Sequence, residues 1–121
     1  MSPPGFLVAA ALIVVLAVIH SVLGERAILM RLRKGALPPL FGDDTFTRNT
    51  LRFVWHALTL AWWAIAALLV LAPAEAEALV GWTTIAVLFA TALLTIVISR
   101  GRHLSWVVEL VAAGAVATAL L

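Results

Sequence analysis

Three histidines and one glutamate carry most of the chemistry open to this sequence. His20, His56 and His103 each fall near the same end of an apolar block, and Glu109 falls inside one. At 1.5 Å of rise per residue, the three rings should lie within roughly one turn of a common depth. Neutral imidazoles from three helices at one level can converge on zinc, copper or iron, and two can clamp a haem iron. His20, His56 and His103 are therefore the expected metal ligands. Arg48, Arg52, Arg100 and Arg102 would stand at the level of haem propionates. The competing reading is plain: histidines at helix ends are cheap because they reach the headgroup region.

Glu109 is the sharpest single residue. It lies six residues past His103, about 9 Å along a helix, and so well inside hydrocarbon. A carboxylate alone at that depth costs several kcal/mol, so it must be protonated, paired or facing water, and a functional role is the default. Arg102, Ser105, Trp106 and Glu109 share one stripe, as do Arg52, His56, Thr59 and Trp63 on the second block. Both stripes are expected to face inward, and Arg52, Trp63, Arg102, Trp106 and Glu109 are the expected lining of a cofactor or ligand site. Packing is the bland alternative for Trp62 and Trp63, which fall near mid-membrane.

Four apolar blocks must position these residues: about 6–23, 53–72, 78–99 and 104–121. A bilayer core of about 30 Å needs about 20 apolar residues per helix, which predicts an all-α, four-helix transmembrane bundle in one domain. The chain of 121 residues is 64% hydrophobic and 12% charged, and its mean hydropathy is +1.15. A soluble helix shows one apolar stripe, whereas these blocks are apolar nearly all round. With no cysteine, disulfides, thiolate metal sites and iron–sulfur clusters are excluded. All eight Lys and Arg residues fall at one end of the zigzag. Basic loops stay cytoplasmic, so both termini are expected on the periplasmic side. These charges suit anionic lipid headgroups, and no nucleic-acid partner is required. The first block lacks a basic leader and reads as a retained helix rather than a signal peptide.

Pro3 and Pro4 suit a helix start. Glu25 to Lys34 reads as a continuation of helix one or a short interfacial helix within a cytoplasmic connection spanning 24–50, broken by Gly35 and Pro38-Pro39. Asp43, Asp44 and Thr45 offer caps for a helix that runs through Arg48 and Arg52 into the second block. Thr84, Thr91, Thr95 and Ser99 form a hydroxyl stripe that should bond a neighbour or its own carbonyls. Gly101 marks a tight hairpin. Glu25 is five residues from His20, about 140° around a continuous helix, so it joins that ring only if the helix bends at Gly24.

The strings His20-Ser21-Val22-Leu23-Gly24-Glu25-Arg26, Arg52-Phe53-Val54-Trp55-His56 and Gly101-Arg102-His103-Leu104-Ser105-Trp106 resemble a family of small uncharacterised bacterial four-helix inner-membrane proteins. That resemblance implies a bacterial inner membrane and brings no activity with it. Arg102-His103, Trp106, Glu109-Leu110 and Gly114 are locally similar to the Arg-His-Pro-x-Tyr…Glu-Leu…Gly stretch of membrane isoprenylcysteine carboxyl methyltransferases. Leu104 stands where that family has proline and Trp106 where it has tyrosine, and the chain ends where its remaining cofactor-binding segment would follow.

Four functions compete. A metal- or haem-binding membrane protein accounts for the co-level histidines and is the leading expectation. A cofactor-free accessory or assembly subunit accounts for a small bundle, with a second copy or a membrane complex as partner. A small proton-coupled transporter accounts for Glu109. An enzyme has least support, because no complete nucleophile–base motif is visible.

Overall fold

The structure is a computed structural model that describes residues 2–121, and the described chain is all-helical. Four helices follow in order: α1 Pro4–Ala27, α2 Thr45–Leu71, α3 Glu77–Ser99 and α4 Ser105–Leu120, with short 3-10 turns at Leu29–Arg31 and Ala74–Ala76. Three stretches are long and apolar enough to cross a membrane: Pro4–Arg31, Thr45–Leu71 and Ala74–Ser99. α4 has 16 residues and is about 24 Å long, short of a 30 Å core. The fourth apolar block thus gives a shorter helix than the three before it.

Two compact units share these helices, one formed by the chain up to Leu16 with Trp62–Leu121, the other by Ala17–Ala61. In the first unit each helix buries a narrow face. α1 contributes Phe6, Ala9, Ala10 and Ile13, and α2 contributes Trp62, Ala66 and Leu69. α3 adds Gly81, Thr84, Leu88 and Ala92, and α4 adds Glu109, Ala112, Ala113 and Val116. The spacings of three and four place each set on one side of its helix. Most of these side chains are small, whereas large apolar ones such as Leu71, Leu79 and Ile98 are exposed by 72–78%. That inversion of the water-soluble pattern suits lipid, where close approach of backbones rather than hydrophobic burial drives helix association.

The α3–α4 hairpin turns on Arg100 and Gly101, both with positive φ (53° and 76°). Gly101 N–H donates to the Ile96 carbonyl at 2.9 Å and Arg100 N–H to Val97 at 3.4 Å. These are the two bonds of a Schellman cap with Arg100 in the left-handed position. A non-glycine residue there costs roughly 1–2 kcal/mol. Helix four begins only at Ser105, so Arg102 lies in the hairpin and is exposed. The expected alignment of Arg102 with Ser105, Trp106 and Glu109 is therefore corrected: it needs one helix through all four residues, and the chain is not helical at Arg102.

In the second unit the connection between α1 and α2 is organised by Asp44, which is 8% exposed. Its Oδ2 accepts from Gly35 N–H at 2.7 Å and from the Arg48 guanidinium at 2.6 Å. Arg48 also donates to the carbonyls of Leu32 and Arg33, and Asp43 Oδ1 accepts from Thr45 N–H at 2.9 Å. Asp43 thus starts α2 as expected, whereas the Asp44 side chain ties Gly35 to Arg48, which is turned inward onto the loop. A tight turn, Leu40 to Asp43, closes the segment through an isolated β-bridge. Its central residues, Phe41 and Gly42, both have positive φ (57° and 104°), as a type I′ turn requires.

Candidate functional site

Two polar constellations stand out, one in each unit. In the second unit, α1 places Ser21 and Glu25 four residues apart, and α2 places Arg52 and His56 four apart. Residues four apart share a helix face, and these pairs meet side chain to side chain. Arg52 donates twice to Glu25, Nε to Oε2 at 3.1 Å and Nη2 to Oε1 at 2.8 Å. His56 Nε2 lies 3.2 Å from Glu25 Oε2, and His56 Nδ1 lies 2.6 Å from Ser21 Oγ. A carboxylate only accepts, so Nε2–H donates to Glu25, and Nδ1 and the Ser21 hydroxyl share the second hydrogen bond. The order Ser21–His56–Glu25–Arg52 is a continuous, charge-assisted chain of hydrogen bonds.

One turn away, His20 and Trp55 hold each other. Their rings stack with centroids 4.6 Å apart and planes 8° from parallel. Trp55 Nε1–H donates to the His20 carbonyl at 3.0 Å, and His20 Nε2 lies 3.3 Å from the Trp55 carbonyl. Gly24 is buried against the Trp55 indole. α1 remains helical through Gly24 to Ala27, so Glu25 stays on the Ser21 side and serves His56 rather than His20.

In the first unit Glu109 is 4% exposed. Its polar neighbours are the hydroxyls of Ser105 and Thr91 and, further off, the His103 ring. Even so, its Oε2 has no hydrogen-bond partner, and the buried Nε1 of Trp106, three residues earlier, has none either. His103 itself is exposed and caps α4, with Nδ1 2.9 Å from Ser105 Oγ and 3.4 Å from its N–H. The hydroxyl stripe of α3 bonds back to its own helix, Thr91 to the carbonyls of Val87 and Leu88 and Ser99 to that of Thr95.

Among the described residues, no group of three or more His, Asp or Glu side chains is placed to hold a metal ion. Each imidazole has its own partners instead: Trp55 for His20, Glu25 and Ser21 for His56, Ser105 for His103. Both ring nitrogens of His56 are taken, so it offers a metal no lone pair without breaking the chain. Arg52 is on Glu25 rather than presented to an anionic cofactor. Trp63 is 44% exposed while Trp62 is 7% exposed. The buried face of this part of α2 runs through Trp62, Ala66 and Leu69, and at 100° per residue Trp63 lies about 90° from its centre. The stripe of Arg52, His56, Thr59 and Trp63 thus does not turn inward along its whole length. Trp106 and Glu109 are brought together; Arg102 is not on their helix.

Ser21, Gly24 and Trp55 are the participants that the apolar blocks and histidine positions leave out. Their signal was present as paired four-residue spacings, Ser21/Glu25 and Arg52/His56, of complementary chemistry. No protein-family model matches the chain, and no curated protein or solved structure matches it significantly.

Proposed function

We propose that this chain is a small multi-pass protein of a bacterial cytoplasmic membrane that exchanges protons at Glu109. The observation that carries the reading is the carboxyl itself: almost wholly buried, with one oxygen unpartnered, in a chain whose other helices are long and apolar enough to cross a membrane. A buried polar atom without a partner costs about 1–3 kcal/mol, and intramembrane carboxyls are kept chiefly where they move ions or protons. A buried carboxyl with hydroxyl neighbours and one oxygen not committed to a hydrogen bond suits a site that gains and loses a proton. Proton-coupled transport is the activity class this supports. A metal or haem, the other proposal, requires the imidazoles to give up their present partners.

Infrared difference spectra of the protein reconstituted in lipid, taken between acid and alkaline buffer, test this directly. A protonated-carboxyl band that changes with pH and vanishes in Glu109→Gln, with the helical signature unchanged, is the expected result. A pH-dependent band that survives Glu109→Gln, or no such band in the wild type, overturns the reading. A Soret band, or stoichiometric zinc, copper or iron in the purified protein, would establish the cofactor reading instead.

The same proposal includes four spans with both termini on the periplasmic side, because the basic residues gather in the 24–50 and 100–102 connections. With no native cysteine, single replacements Ser2→Cys and Lys34→Cys report it cleanly. An impermeant thiol reagent, applied to cells with permeabilised outer membranes, should label position 2 and spare position 34. The reverse pattern refutes the orientation, and labelling of both refutes the span count.

A further inference from the structure

The connection between α1 and α2 carries an exposed aromatic knuckle that no packing requirement explains. Phe41 is 89% exposed and sits at φ 57°, a left-handed conformation that asparagine or glycine adopts far more readily. Its only ring contact among the described residues is Phe46, 50% exposed, whose ring stands edge-on at 5.0 Å. Backbone strain that presents a bare aromatic ring to the surroundings is a feature to explain by function.

Charge supplies the second observation. Arg26, Arg31, Arg33 and Lys34 are all exposed, and none forms an ion pair among the described residues. Asp44, one of the two acidic residues in the loop, is neutralised by Arg48, and Asp43 caps α2. The unpaired surface of the segment is therefore cationic and aromatic together.

Location decides the occupant. Both ends of the segment join helices long and apolar enough to cross a membrane, so it is tethered at the bilayer surface. Phe46 lies seven residues before Phe53, where the apolar run of α2 begins, about 10 Å along the helix. That is the outer edge of the headgroup layer, the level at which amphipathic aromatic and basic residues anchor. We propose that segment 26–46, the connection between α1 and α2 with the helix ends that flank it, docks on the anionic lipid surface of its own membrane. Phe41 and Phe46 enter the headgroup layer, and Arg26, Arg31, Arg33 and Lys34 hold lipid phosphates. Electrostatic and apolar anchoring reinforce one another, since either alone gives weak, reversible attachment.

The test uses the full chain with a single cysteine at Phe41 carrying an environment-sensitive fluorophore, and a second protein labelled at Phe46. Each is reconstituted in nanodiscs of phosphatidylcholine alone and of an equimolar mixture with phosphatidylglycerol. In the anionic discs, water-borne iodide should quench the probe several-fold less than in the neutral ones, while a lipid-borne quencher should quench it more. Raising salt, or replacing Arg31, Arg33 and Lys34 by Gln, should erase the difference between the two lipids. The free, thiol-quenched probe in solution provides the fully water-accessible reference. Iodide access at 41 and 46 equal to that of the free probe in both lipids, with circular dichroism unchanged, overturns the proposal. Shielding that is the same in neutral and anionic discs overturns it too, because the basic residues would then have no part in the contact.

Discussion

Replacing Gly24 by alanine is expected to loosen the α1–α2 clamp more than the change of one methyl group suggests. A Cβ at position 24 would stand 2.5 Å from Trp55 Cζ2 and closer still to Nε1 and Cε2. The indole is not free to yield, since it is stacked on His20 and bonded to the His20 carbonyl. Alanine brings a helix-propensity gain of roughly 0.5–1 kcal/mol, whereas overpacking of this kind costs typically 1–3 kcal/mol, with the indole hydrogen bond at risk besides. Net destabilisation of about 1–2 kcal/mol is expected. Unfolding in mixed detergent, followed by circular dichroism, measures it. Trp55→Ala should make the Gly24→Ala change nearly harmless, because the clash partner is gone; independent, additive effects in that double-mutant cycle would show that Gly24 and Trp55 do not press on one another.

The helices were legible because their cause is simple: long apolar runs bounded by Pro, Gly and charge. α1 and α3 lie within a few residues of the blocks expected, and α2 starts well before its block, at Thr45, behind the acidic pair that the sequence marks as a cap. What the blocks do not contain is rotation about each helix axis. Apolar residues cover these helices nearly all round, so no stripe says which side meets a neighbour. This is why Trp63 is expected inside on the polar stripe, and why three histidines near helix ends read as one site. Counting residues gives a position along each helix axis and says nothing of partners. Where rotation was encoded, it was in polar pairs, and the Ser21/Glu25 and Arg52/His56 spacings were the available clue to the hydrogen-bonded chain. Glu109 was legible for a different reason: the energetic cost of an acid in an apolar block does not depend on rotation. Arg102 was misplaced by one local event, the left-handed Arg100 that ends α3 and delays α4.

Four glycines lie within α1, α3 and α4, and they should not respond alike. A Cβ at Gly5 would run into the backbone carbonyl oxygen of Ala115, with Ala119 Cβ at 3.0 Å and Ala115 C at 3.2 Å. No rotamer change relieves a backbone contact, so α1 and α4 must move apart. Gly81 is different. Its nearest atoms are 2.8 and 3.0 Å away, at the tip of Leu120, with the Phe6 ring also at 3.0 Å, and a leucine end can swing aside. Gly114 meets nothing within 4 Å. Gly5→Ala should therefore destabilise the first unit by roughly 1–3 kcal/mol, the usual cost of forced overpacking. Gly81→Ala should cost less, and Gly114→Ala should be neutral or stabilising by up to about 1 kcal/mol through helix propensity. Because buried alanines and glycines let these helices approach, the ranking Gly5, Gly81, Gly114 measures backbone proximity rather than hydrophobicity. Reversible unfolding of the three variants in one detergent gives the order. A Gly5→Ala protein as stable as Gly114→Ala would mean that α1 and α4 do not pack at Ala115. The buried face that Phe6, Ala9 and Ile13 present would then have another partner.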